Sequence, residues 1–310
     1  MRIREAGPIN DHLWYLGREE TGVYVLKGSK SSMIISGGMC YIIRDVLDQM
    51  QRFGIDTGKI GRMLILHAHF DHLGIIPYFK RRWPGMEVLA SARAWEVVKM
   101  KKAVDTINAF SQMVTEKMGF MQAVTPYDLY WRRDVSGSIV KEGDSFDLGG
   151  LHVDIIETPG HSSCSISAYV PEMKALFASD GGGIPFKDMI IPLGNSNFTH
   201  FQQSLEKLKL LEVDYLCADH YGYVTGDEAG EFIGQAIGEA NRLREKMEEA
   251  FRKSGAIDGA VKELVGRIYE DNPDYFMSRE ITEGIFRQML KNIAGNAGEG
   301  KKLNVDGGKQ

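Results

Sequence analysis

The chain has 310 residues, 43% of them hydrophobic, enough for a large buried core in one domain or one domain with an appendage. Its net charge of −5 gives no global basic field and speaks against a nucleic-acid partner. Cys40, Cys164 and Cys217 are widely spaced and form no Cys-x-x-Cys pair, no signal pattern follows Met1, and no apolar run reaches bilayer length; the expectation is a soluble protein of the reducing cytoplasm, without a disulfide framework.

In chain order, Leu13-Trp14-Tyr15-Leu16, Val23-Tyr24-Val25-Leu26 and Met33-Ile34-Ile35 predict consecutive antiparallel strands. Ile42, Ile43, Val46, Leu47 and Met50 recur at helical spacing, and Gly54 ends that helix. Arg62 to Leu66 reads as a buried strand. A short helix follows, stopped by Pro84-Gly85, and then a strand from Met86 to Ala90 with Ser91 as the N-cap of what comes next. Residues 92–122 exceed an ordinary connection and predict one long or two shorter helices, either an insertion over the core or a lid facing substrate.

Strands are expected again near residues 139–140, 146–148, 151–157, 166–170 and 174–178, with Tyr215-Leu216-Cys217 as a further short one. Thr199-x-x-Gln202 and Thr225-x-x-Glu228 read as capping boxes that open helices. From there the chain is helical to Ala294, and its tail, 295–310, is expected to be flexible. The pattern predicts an α/β body, residues 1–225, made of two sheets flanked by helices. A helical cover, 226–294, packs on it.

The strongest chemical signal is His67-Ala68-His69-Phe70-Asp71-His72, closed by Gly74, at the end of a predicted strand. Imidazole and carboxylate crowded in this way suit a borderline ion such as zinc, iron or manganese and have little structural purpose. Further donors follow three later strands: His161 after Thr158-Pro159-Gly160, Asp180 before Gly181-Gly182-Gly183, and His220 between Asp219 and Tyr221. Strand ends are where loops gather functional groups on a rigid scaffold. His12, His152 and His200 lack ligand spacing and read as structural.

This ordered set resembles the metallo-β-lactamase-fold hydrolases over about Leu13 to Gly222. The resemblance implies a four-layer αββα sandwich holding two divalent ions. His67, His69 and His161 would hold one, Asp71, His72 and His220 the other, and Asp180 would bridge them. It makes Asp71 and Asp180 the candidate catalytic carboxylates. A closer similarity, to the quinolone-signal-response subfamily with its aminobenzoylacetyl-CoA thioesterase, rests on Leu73-Gly74-Ile75-Ile76-Pro77-Tyr78, on Val88-Leu89-Ala90-Ser91 and on the helical segments. It implies a thioesterase-like enzyme with a capped site.

Two departures stand out. Ser36-Gly37-Gly38 occupies the place where many members carry Asp-Thr-Gly, and Asp219 and Tyr221 flank His220 where Gly-His-Gly is usual. Tyr221 is either a hydrogen-bond donor to substrate or a packed surface tyrosine. Tyr275, Phe276, Phe286 and Met289 either line a pocket under the cover or bury the cover's own apolar face, the commoner use of such residues.

Two divalent ions roughly 3.5–4 Å apart share a water and lower its pKa, which predicts a bridging hydroxide as the nucleophile. A thiolate leaves without an acid because its pKa is about 8.5. An amine needs an acid that the sequence does not display. Small thioesters and esters of the acyl-CoA or glutathione kind therefore rank above amides. The alternatives are an iron-dependent sulfur-dioxygenase-type enzyme, a lactonase, a phosphodiesterase, or a regulator acting through partners. A nuclease is disfavoured, since no aromatic–basic stripe is present. The expected partner is a small molecule, with monomer or homodimer left open.

Overall fold

Along the strand Thr21–Lys27 successive side chains point to opposite faces, and both faces are apolar: Val23 and Val25 on one, Tyr24 and Leu26 on the other. A strand that is buried on both sides must lie between two layers, and its neighbours repeat the pattern. Val88 and Ala90 face one way and Leu89 the other in the strand Glu87–Ser91. The computed structural model describes residues 1–303, with side chains to residue 295.

Two seven-stranded sheets result. The first runs in the order Gly7–Pro8, Leu13–Arg18, Thr21–Lys27, Ser32–Ile35, Ile60–Leu64, Glu87–Ser91, Ser138–Val140, antiparallel at first and parallel from Ser32–Ile35 onward. The second runs Arg2–Ile3, Tyr223–Thr225, Tyr215–Cys217, Ala175–Phe177, Ile166–Val170, His152–Glu157, Ser145–Asp147. One core, with Tyr24, Leu64, Ile155 and Phe177, fills the space between the sheets. A second, with Val46, Phe79 and Trp95, joins the first sheet to the helices Ile43–Arg52, Ile76–Arg82, Ala92–Lys99 and Lys101–Lys117. A third, with Phe201, Phe232, Val265 and Met289, joins the second sheet to the helices Phe198–Leu208, Asp227–Ser254, Ile257–Asp271 and Arg279–Leu303. Three cores separate four layers, the αββα sandwich expected from the sequence.

Both expected capping boxes are displaced. Asn197 caps the helix Phe198–Leu208, its side chain accepting from His200 N, so Thr199 already lies inside the first turn. Asn at an N-cap competes well with Thr, and a strand-like φ of −157° leaves Asn197 outside the helix. Gly226 stands at the N-cap of Asp227–Ser254, and Glu228 pairs instead with Arg2 and the N-terminal amine. Residues 92–122 form two main helices rather than one, and Ser91 caps the first as expected, accepting from Ala94 N. The last helix continues past Gly295 to Leu303, and residues 304–310 of the expected flexible tail lie outside the described residues. All three cysteines are free and buried, and no helix of the described residues is long and apolar enough to cross a membrane.

Candidate metal centre

The two sheets deliver their loops to one shared edge. From the first, Ile65 and Leu66 extend the strand Ile60–Leu64, Ile65 N bonding Leu89 O, and the tight turn Phe70–His72 follows. Gly74 lets this turn seat: a Cβ there would come within 2.1 Å of Cys40 N and 2.4 Å of Met39 C, both main chain. Gly74→Ala is accordingly expected to lower stability by about 1–3 kcal/mol and to lower metal content with it. A melting curve and a metal assay check both.

From the second sheet come His161, Asp180 and His220, after the strands His152–Glu157, Ala175–Phe177 and Tyr215–Cys217. Gly160, at φ +138°, allows the first of these loops to press on Phe201 N, 2.2 Å from where a Cβ would stand. The third loop is held across the sandwich by Tyr24, whose Oη lies 2.6 Å from Ala218 O and 2.9 Å from Gly222 O.

All seven candidate ligands meet. His67, His69 and His161 form one group, Asp71, His72 and His220 a second, and His67, His72 and Asp180 a third between them, each with ligand atoms within 4.8 Å of one another. Asp180 is 5% exposed, and its carboxylate lies 3.3 Å from His161 Nε2, 3.4 Å from His72 Nε2 and 3.6 Å from His220 Nε2. His161 Nε2 faces His69 Nδ1 at 3.0 Å, and His220 Nε2 faces His72 Nε2 at 3.3 Å.

The outer partners of the rings decide which nitrogen points inward. His161 Nδ1 donates to Leu193 O at 2.8 Å and His220 Nδ1 to Glu20 O at 2.7 Å, which turns both Nε2 atoms toward the centre. His67 Nε2 is buried and has no hydrogen-bond partner among the described residues. Buried imidazole nitrogens and carboxylates that converge on one point are the donor set of a borderline divalent ion, and the orphaned Nε2 of His67 is costly unless a cation receives it, so the residues fit a divalent metal.

Electrostatics divides the set. Burial, reinforced by neighbouring imidazoles, holds His67 well below the usual range and His69 at about 4, and burial also lowers His161. Burial opposes the charge of His72 and His220 too, but there Asp180 and Asp71 prevail, raising His72 well above its usual value and His220 to about 9. Burial would raise the two carboxyls. The nearby histidines, His72 foremost, outweigh it and keep Asp71 and Asp180 well below the usual carboxylate range.

The expected pocket residues separate into two groups. Phe286 and Met289 are 3% and 0% exposed inside the core between cover and second sheet. They bury the apolar face of the helix Arg279–Leu303, as the helical spacing of that face dictates. Tyr221, Tyr275 and Phe276 do meet, around a residue the sequence did not single out, Phe186. Its ring lies 5.1 Å from Tyr221, 6.1 Å from Tyr275 and 5.3 Å from Phe276. Phe186 sits in the hairpin Ile184–Phe186, Met189–Ile191, two apolar runs around a two-residue turn, which is a legible signal. Across the motif, Phe110 of the helix Lys101–Lys117 stacks on Phe70 at 5.4 Å, so the insertion reaches the metal-binding turn as well as the core. His12 and His152 stay apart, on Lys27 O and Glu172, and His200 lies in the first turn of its helix.

A His/Asp cradle at the common edge of two helix-covered sheets defines a metal-binding αββα protein. The chain belongs to the metallo-beta-lactamase superfamily, whose model matches residues 17–220. A metallo-beta-lactamase fold-containing protein of Sulfurisphaera tokodaii is 24% identical over 69% of this chain and 78% of its own length. The acyl-coenzyme A thioesterase MBLAC2 of Bos taurus is 23% identical over 54% of this chain; the match spans 60% of that protein. A hydroxyacylglutathione hydrolase of Brucella anthropi is 34% identical, over 34% of this chain and 42% of its own length. Among solved structures, a beta-lactamase domain protein from Burkholderia ambifaria superposes with a TM-score of 0.68 at 14% identity, covering 96% of this chain and 90% of that one. The superfamily and its named relatives point to a metallo-hydrolase.

Proposed function

We propose that the chain is a dinuclear metal-dependent hydrolase acting on a small thioester or ester of the acyl-CoA or glutathione kind. The observation that carries this reading is the placement of Asp180, whose carboxylate faces histidines of both outer ligand groups at 3.3–3.6 Å. In it His67, His69 and His161 hold one ion, Asp71, His72 and His220 the other, and Asp180 stands between. Two divalent cations, zinc, iron or manganese, supply there the Lewis acidity that polarises a carbonyl and makes water a nucleophile at neutral pH.

The chain's own part is to hold these donors deprotonated and aimed, and to seat the acyl group. Asp71, the partly exposed carboxylate of the set, would orient the attacking water from beside His72 and His220, its Oδ2 3.6 Å from both. A thioester needs no acid for its leaving group, since a thiolate at pKa about 8.5 departs unaided. The named activities of the bovine and Brucella relatives, a thioesterase and a hydroxyacylglutathione hydrolase, agree with this bond type.

In this reading the aromatic wall of Phe186, Tyr221, Tyr275 and Phe276, next to His220, receives the acyl side. Phe276→Ala is expected to raise KM about tenfold while kcat changes little, because the lost contact is uniform binding. Steady-state kinetics on the best thioester checks this.

The test of the function is metal analysis of the purified chain followed by a panel of CoA thioesters, glutathione thioesters, lactones and phosphodiesters, with oxygen uptake recorded alongside. Thioester turnover without oxygen consumption supports the reading. Turnover that consumes oxygen, or turnover of phosphodiesters alone, overturns it.

A further inference from the structure

Among the cradle histidines, His161 and His220 are oriented by main-chain carbonyls, of Leu193 and Glu20. His67 and His72 are oriented differently. Asp219 is 1% exposed, and its Oδ2 accepts from His72 Nδ1 at 2.8 Å. The same oxygen accepts from the hydroxyl of Ser179 in a short hydrogen bond, and Ser179 Oγ lies 3.2 Å from His67 Nδ1. An ionised carboxylate only accepts, so the serine proton is committed to Asp219. Its oxygen can then only accept from His67 Nδ1–H. The direction of each bond thereby follows: both imidazoles keep their protons on Nδ1 and present Nε2 to the cradle. The unpartnered, buried Nε2 of His67 agrees with that direction.

The backbone supplies a second, independent observation. Ser179 is held at φ +48°, a conformation that glycine adopts freely and a residue with a Cβ does not. A strained non-glycine residue beside a functional site, whose side chain bonds two members of that site, signals that the side chain is needed.

We propose that Ser179 and Asp219 form one positioning relay that fixes a histidine in each half of the cradle, His72 directly and His67 through the serine hydroxyl, so that one carboxylate tunes both metal subsites. The relay touches neither substrate nor ion. It acts by setting ring orientation and tautomer, the role of outer partners in metal sites generally. It rests on the metal centre described under the proposed function, and not on the identity of the bond cleaved.

The test is a stepwise titration of the metal-stripped full chain with cobalt(II), followed by calorimetry and by the ligand-field spectrum, with the melting temperature of each metal-free variant measured in parallel. Ser179→Gly removes the hydroxyl and relieves the backbone. Its metal-free melting temperature is expected to equal or exceed that of the wild type, while cobalt affinity at the His67 subsite falls about tenfold and the spectrum shifts. Asp219→Ala is expected to weaken both binding steps, by about 10–100-fold each. Should it fail to fold, Asp219→Asn, which keeps the shape but loses the charge, is expected to weaken both steps to a smaller extent.

A serine with no part in orienting His67 predicts unchanged cobalt binding for Ser179→Gly, at the same or higher stability. That result, or an aspartate variant that weakens one step alone, overturns the relay. Wild-type protein that takes up no cobalt refutes the metal centre itself, an outcome distinct from either.

Discussion

Asp180→Ala is expected to reduce kcat/KM on the best substrate by on the order of 10³-fold or more and to leave fewer ions per chain than the wild type carries. The carboxylate is buried and lies within 3.6 Å of Nε2 of His72, His161 and His220. In the proposed dinuclear centre, removing it would take away the anion between the two outer ligand groups and leave the imidazoles to hold two cations that repel each other. Loss of one preorganised electrostatic group at a reacting centre costs about 10²–10³-fold, and here the same group also spans the two ligand sets. Asp180→Asn keeps the shape without the charge, and is expected to retain part of the metal and little of the activity. Metal content and kinetics on the same preparation give the answer. Activity of Asp180→Ala within tenfold of wild type would remove this residue from the centre.

The second large effect is on pH. With no cation bound, His220 titrates at about 9 and His72 well above its usual value, both held charged by Asp180 and Asp71 against burial. A cation entering the group of Asp71, His72 and His220 must expel those protons. Its apparent affinity therefore rises as pH rises toward about 9, by about tenfold per unit for each proton displaced. His67, His69 and His161 are lowered instead, His69 to about 4, so they are neutral at pH 7 and their group binds with little dependence between pH 6 and 8. The raised pKa of His220 has a counterpart in the metal-free fold. Its stabilisation is complete below the unfolded value near 6.5 and is lost as pH rises through about 9, the opposite trend to metal affinity. Calorimetry in buffers of different ionisation enthalpy counts the protons released at each step. Equal pH slopes for the two steps would contradict the division.

The candidate ligands are legible because their chemistry is local. His67, His69, Asp71 and His72 crowd into six positions, and His161, Asp180 and His220 each follow an apolar strand. The strands were legible for a like reason, since a doubly buried strand is apolar at every position, as Val23-Tyr24-Val25-Leu26 shows. What supports the site was not. Asp219 and Ser179 are 40 residues apart in sequence, and nothing short of the folded pair of sheets reveals that one oxygen serves both Ser179 and His72. Tyr24 read as a strand residue, which it is, but its hydroxyl reaches the His220 loop 194 residues away. Phe286 and Met289 had the spacing of an apolar helix face and proved to be one, whereas Tyr275 and Phe276, between helices, turn toward Phe186. Helix starts depart from the capping-box pattern where a side chain has a better partner elsewhere, as with Glu228 on Arg2.

The segregation of the ligand donors by sheet has a mechanical meaning. His67, His69, Asp71 and His72 follow a strand of the first sheet, and His161, Asp180 and His220 follow strands of the second. An ion in the cradle would thus clasp residues 7–140 to residues 145–225, two stretches that the strand Arg2–Ile3, paired with Tyr223–Thr225, already ties together at the N-terminus. A chain nicked near residues 141–144 would depend on the clasp to offset the entropy of reuniting its pieces. Chelation is then expected to loosen the nicked fragments, which the core between the sheets and the strand Arg2–Ile3 still join, more than it loosens the intact chain.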